Sequence, residues 1–256
     1  QAVRVETMEA TRRSRWSTVA TGSQERATTA APPQTAGEGL TFGPTVPVDV
    51  VLEHLRDQWH ALVKTDNLLG PRYALFGVHG QLAVLVALLE QVGGHQRHSI
   101  VGLAAQYAES AAWLHEDAGD LALARHWTGQ ATQWAFEAGD HAMLAWTMLR
   151  RAQQATTTGQ PGEAISLTRA AGRGEERLPS PMRAAVRVQA ARGYALAGEA
   201  GTAQRLLDAA HSWATVDTAG DARAGHGSYC TPGYIEVERA GCWLATGHPG
   251  RALPVY

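Results

Sequence analysis

The stretch Ala112-Trp113-Leu114-His115-Glu116-Asp117-Ala118-Gly119-Asp120-Leu121-Ala122-Leu123-Ala124 decides the fold, because its spacing returns along the chain. Glycine followed by a polar residue recurs as Gly119-Asp120, Gly159-Gln160, Gly198-Glu199 and Gly247-His248. Seven residues before each glycine stands alanine, at Ala112, Ala152, Ala191 and Ala240. Five residues after it stands alanine again, at Ala124, Ala164, Ala203 and Ala252. Twelve residues after the first three come Ala131, Ala171 and Ala210. Alanine is abundant here, so one match means little, but a full set at three offsets marks an internal repeat.

The spacing has a physical meaning. A small residue before the glycine lets one helix lie close to the next, and glycine adopts the positive φ that ends a helix. Alanine in the following helix faces back onto the first, and a third small residue leaves room for the next unit. This skeleton resembles the tetratricopeptide repeat, which implies helix hairpins stacked into a right-handed superhelix with a concave face. The intervals of 40, 39 and 49 residues exceed the usual length of about 34, and the proline closing each consensus repeat is missing.

Outward from the repeats, the chain reads as all-α. Residues 50–63 place Val51, Leu55, Trp59 and Leu62 on one helical face, 67–70 with Pro71 read as a turn, and 73–92 as a second helix ended by Gly93-Gly94. Alternating strand patterns are absent. Ser180-Pro181 and Thr231-Pro232 each pair a capping residue with a first-turn proline. Residues 215–227 form a Gly- and Asp-rich insertion before the last helix pair, and the array is expected to continue past Tyr256. Residues 1–45 differ: no Leu, Ile or Phe occurs before Leu40, and Ala30-Ala31-Pro32-Pro33 is linker chemistry. The expected organisation is a disordered tail or linker over 1–45 and one helical repeat domain over 46–256.

Composition limits function. The 256 residues carry 22 Lys+Arg against 24 Asp+Glu, a formal charge of −2, which argues against a self-sufficient nucleic-acid binder. Lysine occurs once, at Lys64; GC-rich coding explains the arginine excess without a collective role for it. The basic cluster Arg12-Arg13-Ser14-Arg15-Trp16 is diluted by Glu6, Glu9 and Glu25. The apolar run at 82–89 is too short to span a bilayer, no signal peptide is recognisable, and Cys230 and Cys242 make no disulfide framework. The expectation is a cytoplasmic protein without a membrane partner.

No nucleotide-binding loop, HExxH or GxSxG occurs, so neither an enzyme nor a cofactor is expected. His95 and His98 have one-turn spacing without a third ligand and read as a solvated turn. His226, Cys230, Cys242 and His248 are suitable zinc ligands by type, but their intervals match no zinc module, and buried thiols acting as small apolar groups fit better. His115, His126, His141 and His211 are scattered singly. The concave face holds the candidate binding residues: Gln106, Glu109, Trp113 and Glu116 from the first repeat; Trp146, Leu149 and Gln153 from the second; Val188 and Arg192 from the third; Tyr234 from the fourth. Aromatic anchors, amides and one arginine for a carboxylate suit a short peptide or a small amphipathic molecule. The alternative is that Trp113 and Trp146 fill gaps between imperfect repeats.

Two phrases go beyond a generic repeat: Trp59-His60-Ala61-Leu62-Val63-Lys64-Thr65-Asp66-Asn67-Leu68-Leu69-Gly70-Pro71-Arg72 and Tyr229-Cys230-Thr231-Pro232-Gly233-Tyr234. With the repeats, they resemble the sensory region of actinobacterial regulators carrying an N-terminal helix-turn-helix of the Xre/Cro type, over residues 46–256. The resemblance implies that this region receives a ligand, peptide or protein partner and mediates dimerisation, while a separate domain binds DNA. Residues 1–45 show no such domain, so no base-reading residue is assigned. The alternative function is a non-switching protein-interaction scaffold.

Overall fold

The computed structural model describes residues 46–214 and 225–253. Contacts divide the chain into Gln1–Pro44 and Thr45–Tyr256, and everything described belongs to the second unit. The expected tail, its basic cluster and most of the 215–227 insertion therefore lie outside the described residues. Within them the chain is helical, with no strand: α1 Val48–Leu69, α2 Pro71–Gln91, α3 Gly94–Asp117, α4 Leu121–Glu137, α5 His141–Thr157, α6 Pro161–Ala171, α7 Ser180–Leu196, α8 Ala200–His211, α9 Pro232–Ala245 and α10 Pro249–Ala252. A short 3-10 turn, Glu175–Arg177, precedes α7.

The repeated Gly–polar pairs are helix junctions. Gly119, Gly159, Gly198 and Gly247 have φ of 86°, 69°, 83° and 77°, where a Cβ would be strained. At the first, Gly119 N–H donates to the Glu116 carbonyl at 3.0 Å and Asp120 N–H to the His115 carbonyl at 2.8 Å. These two bonds define the Schellman motif and satisfy carbonyls that the ending helix leaves over. The same pair recurs at Gly159-Gln160, Gly198-Glu199 and Gly247-His248. A fifth copy, Gly139-Asp140, joins α4 to α5, a position the forty-residue period does not reveal. Asp120 and Asp140 then cap the next helix, accepting from Leu123 N–H at 3.0 Å and Met143 N–H at 2.9 Å.

The alanine rows form the packing seams. All eleven alanines of the three offsets are at most 2% exposed. Each helix packs against the next, and the odd-numbered helices also touch one another in sequence, α1 on α3, α3 on α5, α5 on α7 and α7 on α9. The result is a layer of odd-numbered helices with even-numbered partners packed on it. Larger groups fill between the seams: Tyr107, Leu149, Met182, Leu207 and Ile235 are buried. Tyr107 Oη donates to the Leu55 carbonyl at 2.6 Å and Trp59 Nε1 to Ser110 Oγ at 2.8 Å, tying α1 to α3.

Several boundaries differ from the sequence reading. Helix α1 runs to Leu69, so 67–69 are helical rather than turn; the break comes only at Gly70, where φ is 95°. Thr65 bonds back to the Ala61 carbonyl and Asp66 is buried, so neither residue draws the chain out of the helix. His95 and His98 are exposed, but on the first turns of α3 rather than in a turn. Thr231 caps α9, accepting from Tyr234 N–H at 3.2 Å, whereas Ser180 is already the first helical residue after Pro179 and caps nothing. Helix α2 is, among the described residues, the one helix long and apolar enough to cross a membrane, because the 82–89 run extends back to Pro71. Its Leu82, Leu85 and Leu88 are buried, while Phe76 and Tyr73 are exposed.

Candidate functional site

Helices of the odd-numbered layer bring α3, α5, α7 and α9 side by side, and their shared face carries polar and aromatic groups. At its centre Glu109 of α3 and Arg150 of α5 form an ion pair, with guanidinium Nε 2.5 Å from Oε1. The same oxygen accepts from Trp146 Nε1 at 2.8 Å, and Arg150 also donates to Gln153 Oε1 at 3.1 Å. The Arg150 guanidinium lies 4.3 Å from the centre of the Trp113 ring and 5.3 Å from that of Trp146. Both partners of the pair are buried, as is Trp146. Such a pair is a poor source of stability, since desolvation of both ions offsets most of their attraction, and an apolar replacement serves as well.

The electrostatics follow from that burial. Desolvation pushes the Glu109 carboxyl up, but Arg150, His226 and the hydrogen bonds from Arg150 and Trp146 outweigh it and hold the group below the usual carboxylate range. Glu116, two turns further along α3, shows the opposite balance: desolvation raises it, and the pull of Arg150, Arg192 and Gln154 does not bring it back. Arg192 is held above its ordinary range by Glu238 of α9, at 3.6 Å. His226, from the segment before α9, stacks on Trp146 at 4.8 Å between ring centres, and its burial lowers its proton affinity. Tyr229 lies 6.3 Å from Trp146 and packs edge-on against Tyr234 at 5.1 Å. That segment is seated tightly: Gly227 has φ of 82°, and a Cβ there would meet the Pro181 carbonyl oxygen of α7 at 2.6 Å.

The expected groove thus separates into a floor and a rim. Glu109, Trp146, Leu149 and Val188 are buried. These four are covered rather than open, Trp146 by the stacked His226 ring and Glu109 by Arg150. Trp113, Glu116, Gln153, Arg192 and Tyr234 are half-buried and form the rim. Gln106 is half-buried too, but its recorded bond is through its carbonyl, which accepts from Ser110 Oγ. Trp113 Nε1 also reaches Asp66 Oδ2 of α1 at 3.4 Å.

Arg150, Glu238, His226 and Tyr229 are the functional candidates that the repeat spacing misses. Arg150 and Glu238 both lie nine residues before their glycine, one place along from the expected groove row. Arg150 beside Arg151, and Glu238 beside Arg239, are charges set directly next to a groove-row or seam position, which is the sequence signal that could have drawn attention to them. His226 and Tyr229 lie outside the repeat period, so no spacing argument reaches them.

His226 stacks on Trp146 whereas His248 is exposed and packs on Trp243, so the four zinc-type residues do not converge. Among the described residues no three His, Cys, Asp or Glu side chains are grouped to hold a metal ion. Cys230 and Cys242 are buried, and burial pushes the Cys242 thiol up to about 12. Two histidines read as solitary have partners: His115 Nε2 lies 3.0 Å from His79 Nε2 of α2, and His211 Nε2 lies 2.6 Å from Glu236. No family model, curated protein or solved structure matches this chain.

Proposed function

We propose that residues 46–253 are the ligand-receiving region of a transcriptional regulator, whose DNA-binding domain is a separate one. In this reading the helix hairpins wind as a tetratricopeptide-like superhelix, and a small molecule or short peptide lies against the rim of its concave face. Occupancy of that rim biases how neighbouring helices, or two copies of the chain, pack. The observation that carries the reading is the buried Glu109–Arg150 pair beneath Trp113. A buried ion pair contributes little net stability as a rule, and this one joins adjacent hairpins at the point where a ligand would touch both. The resemblance of the two quoted phrases to regulator sensory regions supplies the biological setting.

Native mass spectrometry of protein purified from its own host tests this directly. A retained molecule is expected on the wild-type chain and is expected to be lost from Trp113→Phe and Arg192→Lys, with circular dichroism unchanged. An empty wild-type protein, or retention by both variants, overturns the groove.

A standing scaffold is the second reading, and one observation favours it: Phe76 is 89% exposed on α2, with Tyr73 beside it on the same face. Sedimentation of wild type and Phe76→Glu distinguishes the two readings. An assembly that the glutamate dissolves, in a protein retaining no ligand, supports the scaffold.

A further inference from the structure

The rim holds two groups of opposite chemistry whose hydrogen-bonding capacity is unfilled. Glu116 Oε2 is sealed from solvent and has no hydrogen-bond partner. Buried acceptors in native proteins are nearly always paired, so an orphan asks for an explanation. The carboxylate is surrounded rather than isolated: Arg150, Arg192, Gln154 and Glu109 all act on it electrostatically. Arg192 is the complementary case. Its contact with Glu238, at 3.6 Å, is longer than a hydrogen bond, and none of its N–H groups donates to a described residue, although the side chain is only 32% exposed. A guanidinium offers five donors in a planar fork suited to a carboxylate.

Glu116 of α3 and Arg192 of α7 both belong to the face that α3, α5, α7 and α9 share, which lets one ligand meet both. An anion alone would fill Arg192 but add negative charge beside Glu116. A cation alone would fill Glu116 but press on Arg150 and Arg192. We propose, resting on the groove reading above, that the rim recognises a compact zwitterion. Its ammonium group bonds Glu116, its carboxylate bonds the Arg192 fork, and its apolar part lies along Trp113 and Tyr234. A free α-amino acid and a short peptide are two sources of that chemistry.

Isothermal titration of the full chain with L-tryptophan, N-acetyl-L-tryptophan, L-tryptophanamide and the dipeptide Trp-Gly, at millimolar concentration, tests the proposal. Binding of L-tryptophan or Trp-Gly is expected, with each blocked derivative weaker by at least about tenfold. The tighter of the two zwitterions identifies the source, since the dipeptide spaces its charges one peptide unit further apart. Glu116→Gln, which keeps the side-chain shape, is expected to abolish the preference over the N-acetyl form. Arg192→Lys keeps the charge without the fork and is expected to abolish the preference over the amide. If a blocked derivative binds as tightly as the free compounds, the zwitterion assignment falls while the groove stands. If none of the four binds, the assignment also falls, and the groove is then judged by the molecule the native protein retains.

Discussion

The two faces of the odd-numbered helices are built on opposite rules. Toward the even-numbered helices they present buried alanine in fixed rows at the seam, with ion pairs such as Arg239–Asp208 only beside it. Along the shared face of α3, α5, α7 and α9 they present Glu109, Arg150, Arg192 and Glu238 with Trp113, Trp146 and Tyr234. The seam repeats because each hairpin solves the same packing problem. The other face does not repeat, because each hairpin contributes a different group to one cluster. Periodicity is thus a property of the scaffold, and departure from it marks the part that a ligand would read.

Breaking the cluster from within should have the largest effect. Arg150→Met leaves Glu109 buried without its partner and is expected to cost about 3–5 kcal/mol in urea denaturation. The double variant Glu109→Met with Arg150→Met should regain most of that loss, since no charge then remains to be compensated. Equal losses in single and double variants would mean that the pair holds the fold, and the contrast between the two faces would fail.

The seam is tested by size rather than charge. Ala152→Leu inserts methylenes where no space exists and is expected to cost about 1–3 kcal/mol. A neutral outcome would show that the hairpins can separate, and that the small-residue rows are compositional.

Titration gives a smaller effect of known sign. Burial holds His79 below its ordinary value, with a further push from His115; burial also lowers His115, against the opposing pull of Asp120. The unfolded chain protonates these rings near pH 6.5, whereas the folded chain resists, so stability is expected to fall as pH drops below that point. The slope is at most about 1.4 kcal/mol per pH unit for each ring, and His79→Gln should flatten it. Glu116 carries the opposite sign. Its folded carboxyl takes up a proton before the unfolded one does, so its contribution declines as pH rises above the ordinary carboxylate range. At neutral pH, Glu116→Gln is therefore expected to raise the thermal midpoint. A lowered midpoint would remove the view that this residue serves binding at the expense of stability.

At the small end, Asp140→Ala removes the cap on α5 and should cost about 1 kcal/mol, read from the same denaturation curves.

Much of the scaffold was legible because glycine and alanine act locally. Gly119 ends a helix whatever lies elsewhere, and Ala124 is read from its distance to that glycine. The end of α1 was not, since Thr65 and Asp66 look like turn residues until their bonding and burial inside the array are seen. The cluster was legible in part. Trp113, Glu116, Gln153, Arg192 and Tyr234 were named from the repeat register, and they are half-buried. Arg150 and Glu238 were not, because their significance lies in partners on neighbouring hairpins, 41 and 46 residues away for Glu109 and Arg192 respectively. His226 stood out only as a zinc-type residue, because its stacking on Trp146 joins residues 80 positions apart.

The two-residue junction seen at Gly119-Asp120 has a consequence for how such a chain can change. It ends one helix and starts the next with no help from distant residues, and it works at Gly139-Asp140, between hairpins, as well as within them. The smallest interchangeable part is therefore a single helix with its junction. Between α3 and α6, where three such junctions follow one another, a helix can be moved with its own corner, and a grafted segment brings its bend with it.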